Sequence, residues 1–272
     1  MEIRGKIAVV TGAGSGIGQA AAMELAQRGV RALGLVDLNK TVEDAAERIR
    51  ELRKDDIVVQ TFMGNTTDAG FRRQVYDQLQ EHAGVANICV PAAGITRDAL
   101  SVKIDKASGK AGIYAEDLFE LVVRVNLIAP VYWALEMVAR IAEDRFRRGV
   151  GRWTASEHLQ GTVVFIGSVS SQGNKGQIAY AATKRGLEGA AATLMKEAMF
   201  YGVKCAVIHP GFTDTPMVKA MGEDYIGKYI LPYTQLGRLI RPEEIGSAIC
   251  FLIQNSAVSG ELWADAGWHP SA

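Results

Sequence analysis

Little in this chain is extreme, and its scarcities narrow the choices first. Only three cysteines occur in 272 residues: Cys89, Cys205 and Cys250. They are far apart, odd in number and set in apolar runs. They are therefore expected to be buried free thiols of a reducing compartment, not a disulfide framework or a zinc site, and no metal is expected. Neither sign of charge is in surplus, since 30 Lys and Arg balance 30 Asp and Glu. A neutral chain has no field to draw in nucleic acid or an anionic membrane surface, so neither is expected as a partner. No apolar run is expected to reach the ~18 residues of a membrane span. The opening MEIRGKIAVV lacks the pattern of a signal peptide, and a cytoplasmic location is expected. Internal repeats, low-complexity tracts and linkers are missing as well, so residues 1–272 are expected to form a single domain.

What is present is a large supply of core-forming residues, 48% hydrophobic against 22% charged. Short β-branched runs alternate with helix-like stretches. KIAVV precedes GQAAAMELAQRG, RALGLVD precedes TVEDAAERIRELRK, and DIVVQTFM precedes FRRQVYDQLQEHA. ANICV leads to a long helical stretch around VVRVNLIAPVYWALEMVARIAEDR, uninterrupted despite Pro130. GTVVFIGS, AYAATKRGLEGAAATLMKEAMFY, GVKCAVIHP, PEEIGSAICFLIQ and ELWADAG complete the order. The strand runs are apolar without polar alternation, as strands covered on both faces should be. Regular alternation of strand and helix implies right-handed crossovers and a doubly wound parallel sheet.

The stretch TGAGSGIG places glycines at 12, 14, 16 and 18 directly behind IAVV. A strand before it, a helix opening at Ile17–Gly18, and Asp37 at the end of the second strand make the dinucleotide-binding arrangement. The glycines let the backbone turn and approach a pyrophosphate at a helix N-terminus, and Asp37 accepts from the adenosine ribose hydroxyls. Asp37 would repel a 2′-phosphate. Leu38 follows it with no arginine, and Ser15 stands before Gly16 where a basic side chain would suit a phosphate. NAD is therefore expected over NADP.

Tyr180 and Lys184 are four apart at the start of a helix and so share a face. A free phenol titrates near ~10, and an adjacent ammonium is expected to lower that value toward neutrality, making Tyr180 a general acid or base. Ser168 ends the strand GTVVFIGS, at the edge where α/β sheets place ligands, and its hydroxyl can hold a carbonyl oxygen. Ser170 and Ser171 are expected to bond backbone in the next loop. His209 is expected to be a strand-end residue without a proton-transfer role.

TGAGSGIG, Asn65-Thr66-Thr67-Asp68, Ala93-Gly94, Asn126, Ser168, Tyr180-Ala181-Ala182-Thr183-Lys184 and Pro210-Gly211 together, in this order, resemble the short-chain dehydrogenase/reductase family. The resemblance covers the whole chain. It implies a single-domain Rossmann fold, here with a seven-stranded doubly wound parallel sheet, and hydride transfer between a secondary alcohol or ketone and a nicotinamide cofactor. It makes Asn126, Ser168, Tyr180 and Lys184 the catalytic set, with Asn126 anchoring a proton-relay water. It also implies cofactor contacts at Gly12, Ser15, Gly16, Ile17, Gly18, Asp37 and Leu38. Further contacts are implied at Asn65, Thr66, Ala93, Gly94, Tyr180 and Lys184, and in the segment Pro210, Gly211, Thr213 and Thr215. One departure is plain: the family's usual NNAG is Pro91-Ala92-Ala93-Gly94, so contacts there must come from backbone.

Within the family, AGITRDAL and GNKGQIAYAATK resemble the 3-oxoacyl thioester reductases. A 3-hydroxyacyl or 3-oxoacyl thioester is the expected substrate, in the oxidative direction, with a cyclic alcohol, sugar or steroid as the alternative. A cofactor-sensing regulator or a structural scaffold would not need the Tyr/Lys pair. Met217, Met221, Tyr225, Ile226, Tyr229 and Ile230 are expected to form a lid over an acyl chain. Stretches 101–116 and 143–160 are extensions. Arg145, Arg147, Arg148 and Arg152 in the second are expected on a solvated face, or against a carrier phosphate. The helices 116–142 and 179–201 are apolar over much of their circumference, and with the resemblance they imply a homotetramer.

Overall fold

Strands form where the sequence supplies unbroken Val, Ile, Leu and Ala, and helices where apolar residues recur on one face. The computed structural model describes residues 1–54 and 56–268. The principal sheet is made of β1 (Ile7–Thr11), β2 (Ala32–Asp37), β3 (Val58–Met63), β4 (Ile88–Pro91), β7 (Gly161–Ile166), β8 (Val203–Pro210) and β9 (Gly260–Ala264). Its order is β3-β2-β1-β4-β7-β8-β9, with every pairing parallel. Strand order runs outward from β1 to β3, then restarts at β4 on the other side of β1. A crevice therefore opens beyond the carboxyl ends of β1 and β4, where ligands of such sheets bind.

Helices cover both faces. On one, α1 (Gly16–Gln27), α2 (Thr41–Arg53) and α9 (Pro242–Gln254) bury Leu25, Ile49 and Ile249 against Val10, Leu33 and Ile208. On the other, α3 (Ala69–Ala83), α5 (Ala129–Arg147) and α6 (Ile178–Ala198) bury Leu79, Trp133 and Leu187 against Val9, Val163 and Val207. This is the doubly wound, single-domain α/β sandwich expected. The three cysteines are buried and unpaired, as their apolar settings imply.

Three local features depart from expectation. The long helix is interrupted: α4 (Glu116–Val123) passes through a π-helical turn at Arg124–Ile128 into α5. Pro130 is the second residue of α5 and cannot donate within the continuing helix, and the π turn falls just before it. Second, this stretch, Glu116–Arg147, is long and apolar enough by length and composition to cross a membrane, contrary to the expectation that none is. Pro130 and scattered charges hide that length in a plain reading of runs. Third, the first extension folds as a hairpin, β5 (Val102–Ile104) and β6 (Ala111–Ile113), exposed along both strands.

The second extension is not a uniformly solvated face. Arg145 is buried, and its guanidinium donates to Glu157 at 2.7 and 3.2 Å and to the Gly151 carbonyl at 2.8 Å. It fastens the loop after α5 beside Gly202, at the amino ends of β7 and β8. The crevice lies at their opposite ends, so Arg145, Arg147, Arg148 and Arg152 are placed away from a ligand there. Between β8 and α9 lie α7 (Pro216–Lys219) and α8 (Glu223–Tyr229). Met217, Met221, Tyr225 and Tyr229 are exposed there, but Ile226 and Ile230 turn inward as core and are not available to a lid.

Candidate active site

Beyond the carboxyl ends of β1 and β4 lies a cavity of about 360 Å³. Its floor is the turn from β1 into α1. Gly12 holds a φ of +65°, and a Cβ on it would come within 2.8 Å of the Ala93 amide. A Cβ on Gly18 would strike the Gly12 carbonyl oxygen, so the first turn of α1 packs directly on the loop. Ser15 caps α1 in extended conformation without a side-chain hydrogen bond of its own to the helix. Ser15, Gly16, Ile17 and Gly18 line the cavity, leaving amide donors and the positive end of the helix facing it.

At one end Asp37 and Leu38 line the cavity. The Asp37 carboxylate accepts from Gly14 N at 2.9 Å through Oδ2 and from Asn39 N at 3.0 Å through Oδ1. These two amides fix its direction. Asn65 and Thr66 line the flank, with Ala93 and Gly94 at the base. The Ala93 amide donates to Thr11 Oγ1 at 3.1 Å, so part of the backbone that would replace the lost asparagine contacts is itself engaged.

At the other end stand Tyr180 and Lys184, both on α6. Lys184 is buried, and its Nζ donates to the Ile166 carbonyl at 2.7 Å and lies 5.4 Å from the Tyr180 ring centre. Burial lowers the Lys184 ammonium to about 8. Burial also pushes the Tyr180 phenol up to about 12, with Ser168 pulling the other way and Asp98 adding to the rise. In the chain by itself the expected acidification of Tyr180 by Lys184 is thus not met. Removing the phenol from water penalises the phenolate more than its neighbours compensate.

Ser168 is buried two residues past the end of β7, and its Oγ accepts from Ser170 N at 3.1 Å. The expectation that the neighbouring serines bond backbone is not met: Ser170 Oγ accepts from the Asn174 side-chain amide, and Ser171 Oγ is buried without a partner. Asn126 sits in the π-helical turn, fully buried. Its Oδ1 accepts from Ile95 N at 2.9 Å and its Nδ2 donates to Ile95 O at 2.8 Å. Both ends of the amide clamp the chain leaving β4, and each end keeps one further hydrogen-bonding position.

Three expected cofactor residues lie outside the wall. Pro210 ends β8 in register with Ala264, and a Cβ on Gly211 would meet the Asp265 backbone at 2.6 Å. Thr213 is buried, donating through Oγ1 to Gly211 O at 3.0 Å. These residues shape the turn that delivers Thr215 to the cavity. Asn39, Gly64, Ala92, Ile95, Val125, Ile166 and Pro216 also line it, unforeseen as cofactor contacts, and Met217, expected in a lid, joins them. Asn39, Gly64, Ala92, Ile95 and Pro216 each adjoin an expected contact along the chain, whereas Val125 and Ile166 approach through tertiary packing.

The cavity accommodates a dinucleotide on its own features. An uncapped helix N-terminus faces its middle, glycines leave the floor bare, and a fixed carboxylate stands at one end. Comparison with known proteins agrees. Residues 6–226 match the profile of the family described as short chain dehydrogenase. The chain is 31% identical over 264 residues to the 3-oxoacyl-(acyl-carrier-protein) reductase FabG of Escherichia coli K12, covering 96% of each. It is 34% identical over 261 residues to the enzyme of that name in Pseudomonas aeruginosa PAO1, covering 94% of this chain and 93% of that one. The Thermotoga maritima protein of that name is 29% identical over 265 residues, with 96% of each covered. The fold, the cavity and these similarities lead to one conclusion: this chain belongs to the short-chain dehydrogenase/reductase family, oxidoreductases that act on CH–OH groups with a nicotinamide cofactor.

Proposed function

We propose that this protein interconverts a 3-hydroxyacyl and a 3-oxoacyl thioester, using NAD(H), with Asn126, Ser168, Tyr180 and Lys184 as its catalytic set. The observation that carries the reading is the placement of Tyr180 and Lys184 at one end of a cavity whose other end holds Asp37. The thioester rests on the similarity to the 3-oxoacyl reductases. NAD rests on the fixed Asp37 carboxylate and the uncharged Leu38 beside it.

When bound, the nicotinamide supplies or accepts the hydride. The cofactor would be held by the amides of Ser15–Gly18 at its pyrophosphate and by Asp37 at the adenosine ribose, with Asn65, Thr66, Ala93, Gly94 and Thr215 along its length. Ser168 fixes the reacting oxygen beside Tyr180. In reduction Tyr180 gives its phenolic proton to the developing alkoxide; in oxidation its phenolate takes the alcohol proton. Lys184, four residues on, stabilises that phenolate as an ammonium. Asn126 keeps Ile95, and with it the base of the cavity, in place. Met217 reaches the cavity from the segment after β8 and offers an apolar contact to the acyl part.

The reading further takes residues 1–272 as one domain that works in the cytoplasm as a homotetramer, without nucleic-acid or membrane partners. Exposed Ile128, Tyr132 and Leu135 beside the π turn support self-association. The test of the substrate is NADH-dependent reduction of acetoacetyl-CoA against a simple cyclic ketone. Efficient thioester reduction is expected; turnover of the ketone alone would move the assignment to a cyclic-alcohol dehydrogenase.

A further inference from the structure

Behind Ser168, away from the cavity, three donors from three elements converge: Glu188 on α6, His209 on β8 and Glu261 on β9. Their ligating atoms all lie within 4.8 Å of one another. His209 Nε2 is 3.2 Å from Glu261 Oε2 and 3.8 Å from Glu188 Oε1. We propose that these side chains form a binding site for one divalent transition-metal cation.

Four observations carry it. His209 is fully buried, yet its Nε2 makes no hydrogen bond, even with Glu261 at 3.2 Å. The atom is close to the carboxylate without pointing at it, as expected where both donors address a third centre. Glu188 Oε1 is likewise buried without a hydrogen bond, while Oε2 of the same carboxylate is held by Arg185 at 2.6 Å. One oxygen is anchored and the other left to ligate. The separations of 3.2 and 3.8 Å bracket the edge of a tetrahedron with ligands about 2.0–2.2 Å from its centre. Finally, His209 Nδ1 lies 3.2 Å from both the amide nitrogen and the carbonyl oxygen of Ser168. The ring can accept from the one with its proton on Nε2 or donate to the other with its proton on Nδ1, and only the second state leaves Nε2 free to ligate. A neutral imidazole ligating through Nε2 carries its proton on Nδ1 and donates it to a backbone carbonyl, the usual support of a metal-bound histidine.

The surroundings hold the ring in that pose. It stacks on Trp263 at 4.2 Å, and Gly167 leaves room beside it, since a Cβ there would come within 2.5 Å of Nδ1. One imidazole and two carboxylates suit Zn²⁺ or a neighbouring first-row ion, and half-exposed Glu261 gives the route of entry. Bound there, the ion ties α6, which bears Tyr180 and Lys184, to β8, β9 and the backbone of Ser168. Spacing along the chain gives no hint of this, because the three donors come from three separate elements.

The test is equilibrium dialysis of the metal-stripped full chain against Zn²⁺, with elemental analysis. The wild type is expected to bind one Zn²⁺ per chain saturably, and Glu188→Gln and Glu261→Gln each to weaken it by about tenfold or more. Glu261→Gln alters a half-exposed side chain on the edge strand β9, and circular dichroism checks that each variant is folded. As a second readout, Co²⁺ is expected to give visible absorption of a tetrahedral site in the wild type that both variants lose. No saturable binding, or binding and spectra unchanged in both variants, overturns the proposal. Neither arm depends on turnover, so the result stands apart from the thioester assignment.

Discussion

Asp37 shows how a single side chain acquires a direction. Its two oxygens are taken from opposite sides by Gly14 N and Asn39 N, and the carboxylate so fixed faces the cavity. Asp37→Ala is expected to narrow the preference for NADH over NADPH by about tenfold or more, the worth of hydrogen bonds to a charged group. Steady-state kcat/KM with both cofactors measures it; an unchanged ratio would detach Asp37 from cofactor choice. Lys184 sets the pH response. Reduction leaves a phenolate on Tyr180, which the ammonium stabilises, and burial lets Lys184 lose its proton as pH rises through about 8. Tyr180, at about 12, stays protonated there. The kcat/KM for reduction is therefore expected to fall on the alkaline side near pH 8, because that parameter follows the free enzyme. A profile flat through that range would contradict the role given to Lys184. These side chains were legible in the sequence because each follows a strand end or opens a helix in a recognisable order. Their pKa values were not, since burial is decided by the whole fold.

The π-helical turn between α4 and α5 is the element where local and tertiary demands meet. It buries Asn126, a poor helix former, so that both ends of the amide clamp Ile95. Asn126→Leu would leave a buried N–H and C=O unpaired, at roughly 1–3 kcal/mol for each. Urea unfolding is expected to show a loss of that order, together with reduced turnover; a variant as stable as the parent would show that Ile95 finds other partners. Arg145 makes the opposite prediction. Because it fastens a loop at the amino ends of the strands, Arg145→Leu is expected to lower the melting temperature while leaving the KM for a thioester unchanged. A raised KM would put this loop at the substrate after all. The seven sheet strands could be read from their apolar residues, although the edge strands β3 and β9 are partly exposed and not covered on both faces. The helices that cover the sheet could be read from their periodicity; α7 and α8 could not. The hairpin β5–β6 could not, being three residues per strand with every residue exposed and no buried face to impose alternation. A π turn leaves no compositional mark either, and Arg145 looked like its solvated neighbours because a charge run does not reveal which member turns inward.

A crevice opens at the switch in strand order, and Asp37, Tyr180 and Lys184 line it, while the charged second extension lies at the far edge. Apolar side chains exposed around the π turn give the expectation of a tetramer. Sedimentation equilibrium at micromolar concentration is expected to show it, and a species of the 29.3 kDa chain mass alone would remove it. The central claim is that Tyr180 moves the proton in an NAD(H)-dependent reaction at this crevice. Its most direct test is the rate of NADH oxidation with acetoacetyl-CoA by the wild type and by Tyr180→Phe, with NADH binding followed by fluorescence in both. The account predicts turnover by the wild type, a loss of roughly 10²–10⁴-fold in the variant, and nearly equal NADH affinity. A Tyr180→Phe protein that binds NADH and keeps most of the activity would contradict it.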